Sequence, residues 1–295
     1  MSTDLIAHSS SNYSLLDSGH EQKLEKIGNY VVIRSSPQAI GKPKLNKSEW
    51  ISAYAEHVRK KDGGGFWDFK KNGVINPFSM PLEFESTTLK VNINFTPFGH
   101  CGVFFEQLIL SAELGRMINE AKKKSDQVRV INLFAYTGVA SLLAASLGAE
   151  VYHVDSAKSI LTWASDNLKI NPKISGSIKF IHEDAVKFLK ANQKKKGTFD
   201  IILADPPSWG HGAGKEKWDF NLNICELVEL GTNLLKKDSG SFFLTTHTPG
   251  VQHNSLKNLL EGTNTFKFFR SGDIGIKHSG DERILPTGIY SIASS

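Results

Sequence analysis

From Val128 onward the chain alternates short apolar, β-branched segments with longer segments whose apolar residues recur at helical spacing. Such alternation is typical of a parallel sheet flanked by helices, because each crossover between parallel strands needs a helix-length connection. The sequence therefore predicts an α/β fold here. The strands are predicted at Val128–Leu133, Glu150–Asp155, Ile178–His182, Phe199–Ala204, Gly240–Thr246, Thr265–Arg270 and Ile284–Tyr290.

The N-terminal third has a different pattern. Tyr30–Arg34 is a short β-branched run, and Leu89–Phe95 alternates apolar with polar residues as a half-buried strand does. We therefore expect a small β-rich domain over residues 1–106 and a larger α/β domain over residues 107–295. The first residues, roughly twelve, are rich in serine and are expected to be disordered.

Composition limits the partners and the compartment. The formal net charge is +5 and the sequence pI is about 9.0, which suits a phosphate-rich partner but is equally common in other soluble proteins. No apolar run reaches the roughly 18 residues of a membrane helix, and the polar start lacks a signal-peptide pattern. Cys101 and Cys225 have no metal-type spacing. We expect a cytoplasmic protein without a metal site.

The first strand of the α/β part leads through a tight turn into a helix of small residues. Ile131–Val139 reads INLFAYTGV, and the helix follows from Ala140. A strand, a turn and a helix N-terminus can bind a carboxylate or phosphate, because free N–H groups and the helix dipole face it. With Gly138 as its one glycine, this turn is equally compatible with an ordinary connection. The next strand ends in Asp155, where nucleotide-binding folds place their ribose ligand.

Asp184 follows the third strand and directly precedes a predicted helix that starts at Ala185. A carboxylate at this place can cap the helix by accepting a backbone N–H. It also has further acceptor positions for a ligand, so one residue can fill both roles. The two interpretations stay open at this point.

The fourth strand, Phe199–Ala204, ends in the segment DPPSW, Asp205–Trp209. Its prolines remove two amide donors and hold the backbone extended, so the local carbonyl groups are expected to face outward as acceptors. A target amine or ring would then lie between these carbonyls and the Asp205 carboxylate, with Trp209 stacked on a flat substrate. The alternative is a plain turn with an aromatic plug, which the order of the four segments disfavours.

Together these segments resemble the S-adenosylmethionine (SAM)-binding core of class I methyltransferases. The resemblance is closest to the group related to the ribosomal large-subunit RNA cytosine-C5 methyltransferases, through Asn132–Gly138 (NLFAYTG) and Asp205–Trp209. Gly102–Gln107 (GVFFEQ) and Leu15–Glu25 (LLDSGHEQKLE) also match, so the similarity extends over nearly the whole chain. It implies a Rossmann-like class I methyltransferase fold with a seven-stranded, mostly parallel sheet, SAM as cofactor and RNA as partner.

The resemblance also implies roles for single residues. Asp155 would bind the ribose, Asp184 the adenine, and Asp205 would lie beside the transferred methyl, where a carboxylate favours the positively charged sulfonium. The implied catalytic residues are Asp205, Pro206 and Pro207. The implied cofactor residues are Phe104, Glu106, Gln107, Phe134, Ala135, Tyr136, Thr137, Gly138, Asp155, Ser156, Asp184, Ala185 and Asp205.

One part of the family pattern is missing. Methylation at cytosine C5 needs a thiolate that attacks C6. In the related enzymes this cysteine follows the strand corresponding to Gly240–Thr246, but here that place reads HTPG, and Cys225 lies in a predicted helix among core-like neighbours. We therefore expect direct transfer to nitrogen or oxygen, with Asp205 orienting the target. His247 is a candidate base, or an ordinary polar residue at a strand end.

The residues after Asp205–Trp209 complete the candidate site. Residues 210–218 read GHGAGKEKW, which predicts a mobile loop that orders over a substrate, although an ordinary surface loop is equally compatible. The lysine runs Lys122–Lys124 and Lys194–Lys196 are expected to be solvated helix ends rather than nucleic-acid contacts. The expected substrate-binding residues are Ser208, Trp209, Lys215 and Lys217, the lysines contacting phosphates.

Three functions are compatible with this sequence. Our leading hypothesis is methylation of a ribosomal RNA base that is flipped out or single-stranded. A methyltransferase acting on protein or small molecules would instead have a narrow, apolar or uncharged pocket mouth. A SAM-binding protein without catalysis would not need Asp205.

Overall fold

The computed structural model describes residues 3–60, 64–73, 75–85, 87–212, 214 and 216–295. The chain forms two compact units. Unit 1 comprises Met1–Leu5, Leu110–Asp273 and Gly288–Ser295, and unit 2 comprises Ile6–Ile109 and Ile274–Thr287. The main division therefore falls between residues 109 and 110 rather than 106 and 107, and both units include segments from opposite ends of the chain.

The chain contains seven α-helices and seventeen strands among its described residues. The helices are α1 (Lys47–Ile51), α2 (Leu110–Lys122), α3 (Val139–Ser146), α4 (Lys158–Lys169), α5 (Ala185–Ala191), α6 (Phe220–Leu234) and α7 (His253–Glu261). The strands are β1 (Leu5–Ala7), β2 (Tyr13–Gly19), β3 (Gln22–Ile27), β4 (Tyr30–Ser35), β5 (Ala55–Arg59), β6 (Gly65–Phe69), β7 (Phe78–Phe84), β8 (Thr87–Ile93), β9 (Arg129–Leu133), β10 (Glu150–Asp155), β11 (Ser177–His182), β12 (Ile201–Ala204), β13 (Trp209–His211), β14 (Lys217–Asp219), β15 (Ser241–Thr246), β16 (Phe268–Lys277) and β17 (Ile284–Ser294).

The largest sheet has eight strands in the order β1-β16-β17-β15-β12-β9-β10-β11. The run β15-β12-β9-β10-β11 is parallel throughout, and β17 pairs antiparallel with β15. The predicted Rossmann-like, mostly parallel sheet is thus confirmed, with one strand more than the seven expected. The additional edge strand is β1, which lies within the stretch that the sequence led us to expect as disordered. No helix among the described residues is long and apolar enough to cross a membrane.

The core of unit 1 lies between the central strands and the helices. All four residues of β12, Ile201–Ala204, are buried, as expected for a strand covered on both faces of a parallel sheet. Ile131, Leu227 and Phe242 are fully buried in the same apolar cluster, so β9, α6 and β15 share one core with β12. Because parallel strands end at one edge, this packing fixes the residues that follow each strand next to one another.

Unit 2 contains a five-stranded sheet, β2-β3-β4-β5-β6, and the β7–β8 hairpin. A buried ionic group stands in the larger sheet: the Glu25 carboxylate accepts bonds from Arg34 Nε at 2.6 Å and Tyr13 Oη at 2.7 Å, and pairs with Lys23 at 2.9 Å. Burial opposes ionisation of Glu25, but Arg34 and Lys23 outweigh it and lower its pKa to about 2. Tyr13 also stacks on Phe105, with ring centroids 3.9 Å apart.

Candidate functional site

The turn between β9 and α3 has an unusual backbone. Phe134, Tyr136 and Gly138 have φ angles of 54°, 50° and 89°, so every second residue is left-handed. This conformation is costly for large side chains and persists only where the surroundings enforce it. A turn with alternating hand points its N–H groups to one side, and such a concavity binds anions.

Neighbouring segments hold this turn in place. Tyr136 N donates to Asp155 Oδ2 at 2.9 Å, and Ala135 N donates to the Val154 carbonyl at 3.1 Å. From α4, the buried Asn167 donates through Nδ2 to the Thr137 carbonyl at 3.0 Å. The turn is therefore tied to the end of β10 and to α4, which explains how its strained residues stay fixed.

A buried polar chain supports the turn from below. Asn132 Nδ2 donates to Ser141 Oγ at 2.9 Å, and Ser141 Oγ lies 2.9 Å from His153 Nδ1. His153 is fully buried, and burial lowers its pKa to about 4, so it is neutral near pH 7. A Cβ on Gly138 would lie 3.3 Å from this ring, which places His153 directly under the turn.

Two carboxylates stand at the ends of neighbouring strands, as predicted. Asp155 Oδ1 accepts a bond from Ala157 N at 2.9 Å, and burial raises its pKa although the Ala157 and Tyr136 amides oppose this. Asp184 caps α5, because its Oδ1 accepts the Lys187 N–H at 3.0 Å. The capping interpretation is therefore correct, and the second oxygen lies 3.2 Å from where a Cβ on Gly212 would be.

Asp205, after β12, is held by the neighbouring strand. Thr245 Oγ1, in β15, donates to Asp205 Oδ1 at 2.6 Å. Thr245 is buried and Asp205 is half-buried, so one carboxylate oxygen is fixed from below. Sequence reasoning missed Thr245, Asn167 and His153. The signal for Thr245 was its position near the end of the strand next to Asp205; Asn167 and His153 become neighbours of the turn only in the fold.

The carbonyl groups of the two prolines already accept hydrogen bonds from other residues of unit 1. Thr246 Oγ1 donates to the Pro206 carbonyl at 3.2 Å, and Trp218 Nε1 donates to the Pro207 carbonyl at 2.6 Å. The expectation that these carbonyls face outward for a substrate is therefore wrong. They anchor the segment internally, because the proline rings leave it few other hydrogen bonds.

The predicted loop at residues 210–218 falls partly on residues 213 and 215, which lie outside the described residues, and the described residues on either side of them form two short strands. Trp209–His211 and Lys217–Asp219 pair as the antiparallel hairpin β13–β14, and Trp218 is buried against Phe134, with ring centroids 4.8 Å apart. Ser156 Oγ donates to the His211 carbonyl at 3.0 Å. Because Ser156 directly follows β10, this bond joins β13 to the carboxyl end of that strand.

The predicted substrate residues that the structure describes lie on or beside this hairpin. Trp209 is 59% exposed and meets His211 edge to face, with centroids 4.4 Å apart. Ser208 Oγ donates to Thr248 Oγ1 at 3.2 Å, and the exposed Lys217 starts β14. Lys215 lies outside the residues that the structure describes.

The structure brings most predicted cofactor residues together in unit 1. These residues are Phe134, Ala135, Tyr136, Thr137, Gly138, Asp155, Ser156, Asp184, Ala185 and Asp205. Phe104, Glu106 and Gln107 belong to unit 2, around a 3₁₀ helix at Phe105–Ile109, and their part in a cofactor site stays a prediction. Cys101 is buried in unit 2, and Cys225 is exposed on α6 rather than packed among core neighbours.

The donor set of unit 1 fits SAM. The left-handed turn offers amides to a carboxylate, Asp155 can accept from a ribose diol, and Asp184 can accept from an adenine amine. Acids at three strand ends also favour a cation. Among the described residues, no group of His, Cys, Asp or Glu is arranged to hold a metal ion. Fold and site thus define a class of protein that binds a cationic nucleoside at the carboxyl edge of a parallel sheet.

Comparison with known proteins identifies this class. Residues 98–241 match the S-adenosylmethionine-dependent methyltransferase family. The SAM-dependent methyltransferase from Agrobacterium tumefaciens is 31% identical, and its crystal structure matches 99% of this chain and 93% of its own with a TM-score of 0.89. The chain therefore belongs to the SAM-dependent methyltransferases, and SAM is its cofactor, as predicted.

Curated relatives include two proteins named ribosomal RNA large subunit methyltransferase K/L. The one from Photobacterium profundum is 31% identical over 172 residues, which is 58% of this chain and 22% of the relative. The one from Shewanella frigidimarina is 30% identical over 146 residues, which is 49% of this chain and 19% of the relative. The chain thus spans about a fifth of the length of these relatives.

Proposed function

We propose that this protein transfers the methyl group of SAM directly to a base of ribosomal RNA. The observation that carries the chemistry is the carboxylate of Asp205 at the end of β12, which Thr245 holds in place. Cys225 lies exposed on α6, and the segment after β15, His247–Gly250, contains no cysteine. The relatives named for large-subunit ribosomal RNA support the choice of acceptor.

Bound SAM supplies an electrophilic methyl group on a positively charged sulfur. We propose that the turn at Phe134–Gly138 holds the methionine part, while Asp155 and Asp184 hold the ribose and the adenine. In this arrangement Asp205 orients the target amine or hydroxyl and accepts its hydrogen bond. Thr245 keeps the carboxylate at one angle relative to the acceptor.

The proposed acceptor is an unpaired or flipped-out base. Trp209 directly follows the Asp205–Ser208 segment and exposes 59% of its surface, which suits stacking on a base. Base–aromatic stacking contributes roughly 1–3 kcal/mol per base. Lys217 on the same hairpin is exposed and can reach a phosphate group.

The test is transfer of a labelled methyl group from SAM to purified RNA, protein and metabolite fractions from a strain that lacks the gene. We expect label in large-subunit ribosomal RNA, and nucleoside digestion then identifies the methylated atom. Asp205→Ala should lower turnover by about 100-fold or more, a larger effect than any weakening of SAM binding. Asp166→Asn, at a partly exposed ion pair on α4, is the control and should leave turnover unchanged.

The proposed acceptor and the proposed mechanism of transfer can be refuted separately. Label found only in protein or metabolites would refute the RNA acceptor and keep the methyltransferase. Label at cytosine C5, with trapping of a covalent RNA adduct, would refute direct transfer. Unchanged turnover in Asp205→Ala would refute the role of that carboxylate.

A further inference from the structure

Three lysine-rich segments meet at the edge of the large sheet opposite the candidate active site. Because β9, β12 and β15 are parallel, their amino ends lie at one edge and Asp205 lies at the other. The segments entering these strands carry Lys122–Lys124, Lys194–Lys196 and Lys236–Lys237. All of these side chains are exposed except that of Lys236, which is half-buried. We call this surface the basic edge.

Direct hydrogen bonds hold the three segments side by side. Lys124 Nζ donates to the Asp238 carbonyl at 3.2 Å, which joins the first segment to the third. Lys236 N donates to the Phe199 carbonyl at 2.8 Å, which joins the third segment to the one that follows Lys196. Lysines far apart in the sequence thus form one surface, which the separate runs did not indicate.

The acids near the basic edge neutralise only part of its charge. Asp200 is 1% exposed, and its carboxylate accepts hydrogen bonds from Arg129 N at 2.9 Å and from Lys236 Nζ at 2.7 Å. Glu150 pairs with Arg129 and Lys179, and Glu120 pairs with Lys123. Two exposed acids, Asp126 and Asp238, remain.

Several lysines of the basic edge are available for a partner. Within the described part of the chain, Lys194, Lys196 and Lys237 have no ion-pair partner, whereas Lys195 lies over the Tyr152 ring at 5.8 Å. Asp200 is buried and paired within the fold, whereas these unpaired lysines face water. One side of unit 1 therefore carries an excess of positive charge. Such a surface attracts a polyanion.

We propose that the basic edge binds the phosphodiester backbone of RNA. A phosphate chain fits because the lysines are spread over three segments and each can meet a separate phosphate. An anionic membrane fits less well, since peripheral membrane surfaces add apolar side chains that enter the lipid. In the described residues, the large exposed hydrophobic side chains lie outside these three segments.

The position of the basic edge determines what it contributes. The segment from Asp200 to Asp205, which contains β12, spans about 17 Å at roughly 3.3 Å per residue. A lysine of the basic edge therefore does not reach a nucleotide at Asp205. The basic edge therefore holds a part of the RNA remote from the methylated base. It raises affinity and leaves the methyl-transfer step unchanged. This inference deepens the proposed function by assigning a second contact to the same RNA partner.

The test compares two triple variants that each remove three lysines. Lys194→Gln/Lys196→Gln/Lys237→Gln removes unpaired lysines of the basic edge. Lys169→Gln/Lys190→Gln/Lys257→Gln removes lysines that are ion-paired on α4, α5 and α7. Binding of protein-free large-subunit ribosomal RNA is measured by filter binding over a salt series. Thermal unfolding of both variants checks that they are folded.

We expect the basic-edge variant to bind this RNA about tenfold more weakly near 0.1 M salt, and its salt slope to fall by about 2, at roughly 0.7 per lost phosphate contact. The control variant should stay within about twofold of the parent. Equal binding by the two variants would overturn the proposal. So would loss of binding to phosphatidylserine vesicles with RNA binding intact, which would assign the surface to membranes.

The methyl-transfer assay separates this inference from the proposed function. Methylated ribosomal RNA together with unchanged RNA affinity in the basic-edge variant would refute the basic edge alone. Lysine-dependent RNA binding together with label only in protein or metabolites would refute the proposed acceptor alone. With RNA as acceptor, we expect KM for RNA to rise and kcat to change less than about twofold, since these lysines do not contact the reacting atoms.

Discussion

Thr245 and Asp205 show how a single hydroxyl can determine the geometry of a reactive carboxylate. The 2.6 Å bond joins the residue that follows β12 to the adjacent parallel strand β15. A carboxylate that already has one oxygen fixed needs less reorganisation when a substrate binds. The residue that supplies this constraint need not contact the substrate itself.

Replacing Thr245 should therefore change catalysis more than binding. We expect Thr245→Val, which keeps the shape and removes the hydroxyl, to lower kcat about tenfold while the Kd for SAM changes little. Thr245→Ser should restore most of kcat because it restores the donor. Steady-state kinetics and calorimetric SAM titration measure both. Equal kcat in the valine and serine variants would contradict the positioning role.

His153 makes stability depend on pH at the same scale. Burial lowers its folded pKa to about 4 from the ordinary 6.5. As the pH falls, His153 therefore binds a proton in the unfolded chain before it does so in the folded chain. Stability is fully present above about pH 6.5 and is lost as pH falls towards 4. Between pH 7 and 5 we expect the free energy of unfolding to drop by about 2 kcal/mol on this account.

Urea unfolding at a series of pH values measures this drop. His153→Gln keeps an acceptor for Ser141 and should flatten the profile over this range. The exposed His247→Gln is the matched control and should follow the parent protein. A His153→Gln profile as steep as that of the parent would contradict the assignment.

Among the structural elements, the turn between β9 and α3 depends most on its surroundings. Asp155 holds the left-handed Tyr136, Asn167 holds the Thr137 carbonyl, and Gly138 lies over His153, so these contacts form the turn without a cofactor. Pre-formed amide donors cost little to order on binding, which favours affinity. The hairpin β13–β14 extends the same principle, since Trp218 anchors it to Phe134 and to the Pro207 carbonyl.

The turn can be tested at Gly138. A Cβ there would lie 3.3 Å from Ala164 and from His153, at a φ of 89° that L-residues disfavour by roughly 1–2 kcal/mol. We expect Gly138→Ala to destabilise the protein and to weaken SAM binding by about tenfold or more. Gly250 has a φ of 81° with nothing within 4 Å, so Gly250→Ala should carry only the backbone cost and bind SAM normally. Unfolding and SAM titration of both variants decide this, and normal SAM affinity in Gly138→Ala would be the contrary result.

At the scale of the whole molecule, each unit buries charged groups. Unit 1 packs an apolar core around β12 and buries Asp200 with Lys236 as its partner, whereas unit 2 buries Glu25 between Arg34 and Lys23. A buried charge that loses its partner is strongly destabilising because the remaining charge has no water to replace it. The ionic group therefore makes unit 2 sensitive to single substitutions.

We expect Glu25→Gln to lower the stability of unit 2 by about 3–5 kcal/mol, because Arg34 and Lys23 would stay buried without their partner. Glu56→Gln, which breaks a partly exposed pair with Lys70 in the same unit, should cost less than about 1 kcal/mol. Hydrogen exchange of the amides in β2–β4 reports the local free energy. Similar losses in the two variants would contradict the role of burial.

Periodicity alone predicted the class of fold, and the strand-end acids together with the family resemblance indicated the candidate cofactor site. Alternating strands and helices predict a parallel sheet, and parallel strands bring Asp155, Asp184 and Asp205 to one edge whatever the details of packing. Residues 30–34 and 89–95 likewise predicted the β-rich N-terminal part. These features are local, and local patterns are what a sequence displays directly.

Tertiary structure decided what depends on neighbours distant in sequence. Gly210, Gly212 and Gly214 indicate flexibility, but the Trp218 ring packs against Phe134 and fixes β14 beside the turn. The two prolines suggested carbonyl groups that are available to a substrate, but Thr246 of β15 donates a hydrogen bond to the Pro206 carbonyl. Separate lysine runs look like solvated helix ends until three parallel strands collect them at one edge. In each case the deciding contact joins residues tens of positions apart, and only packing of the folded chain brings them together.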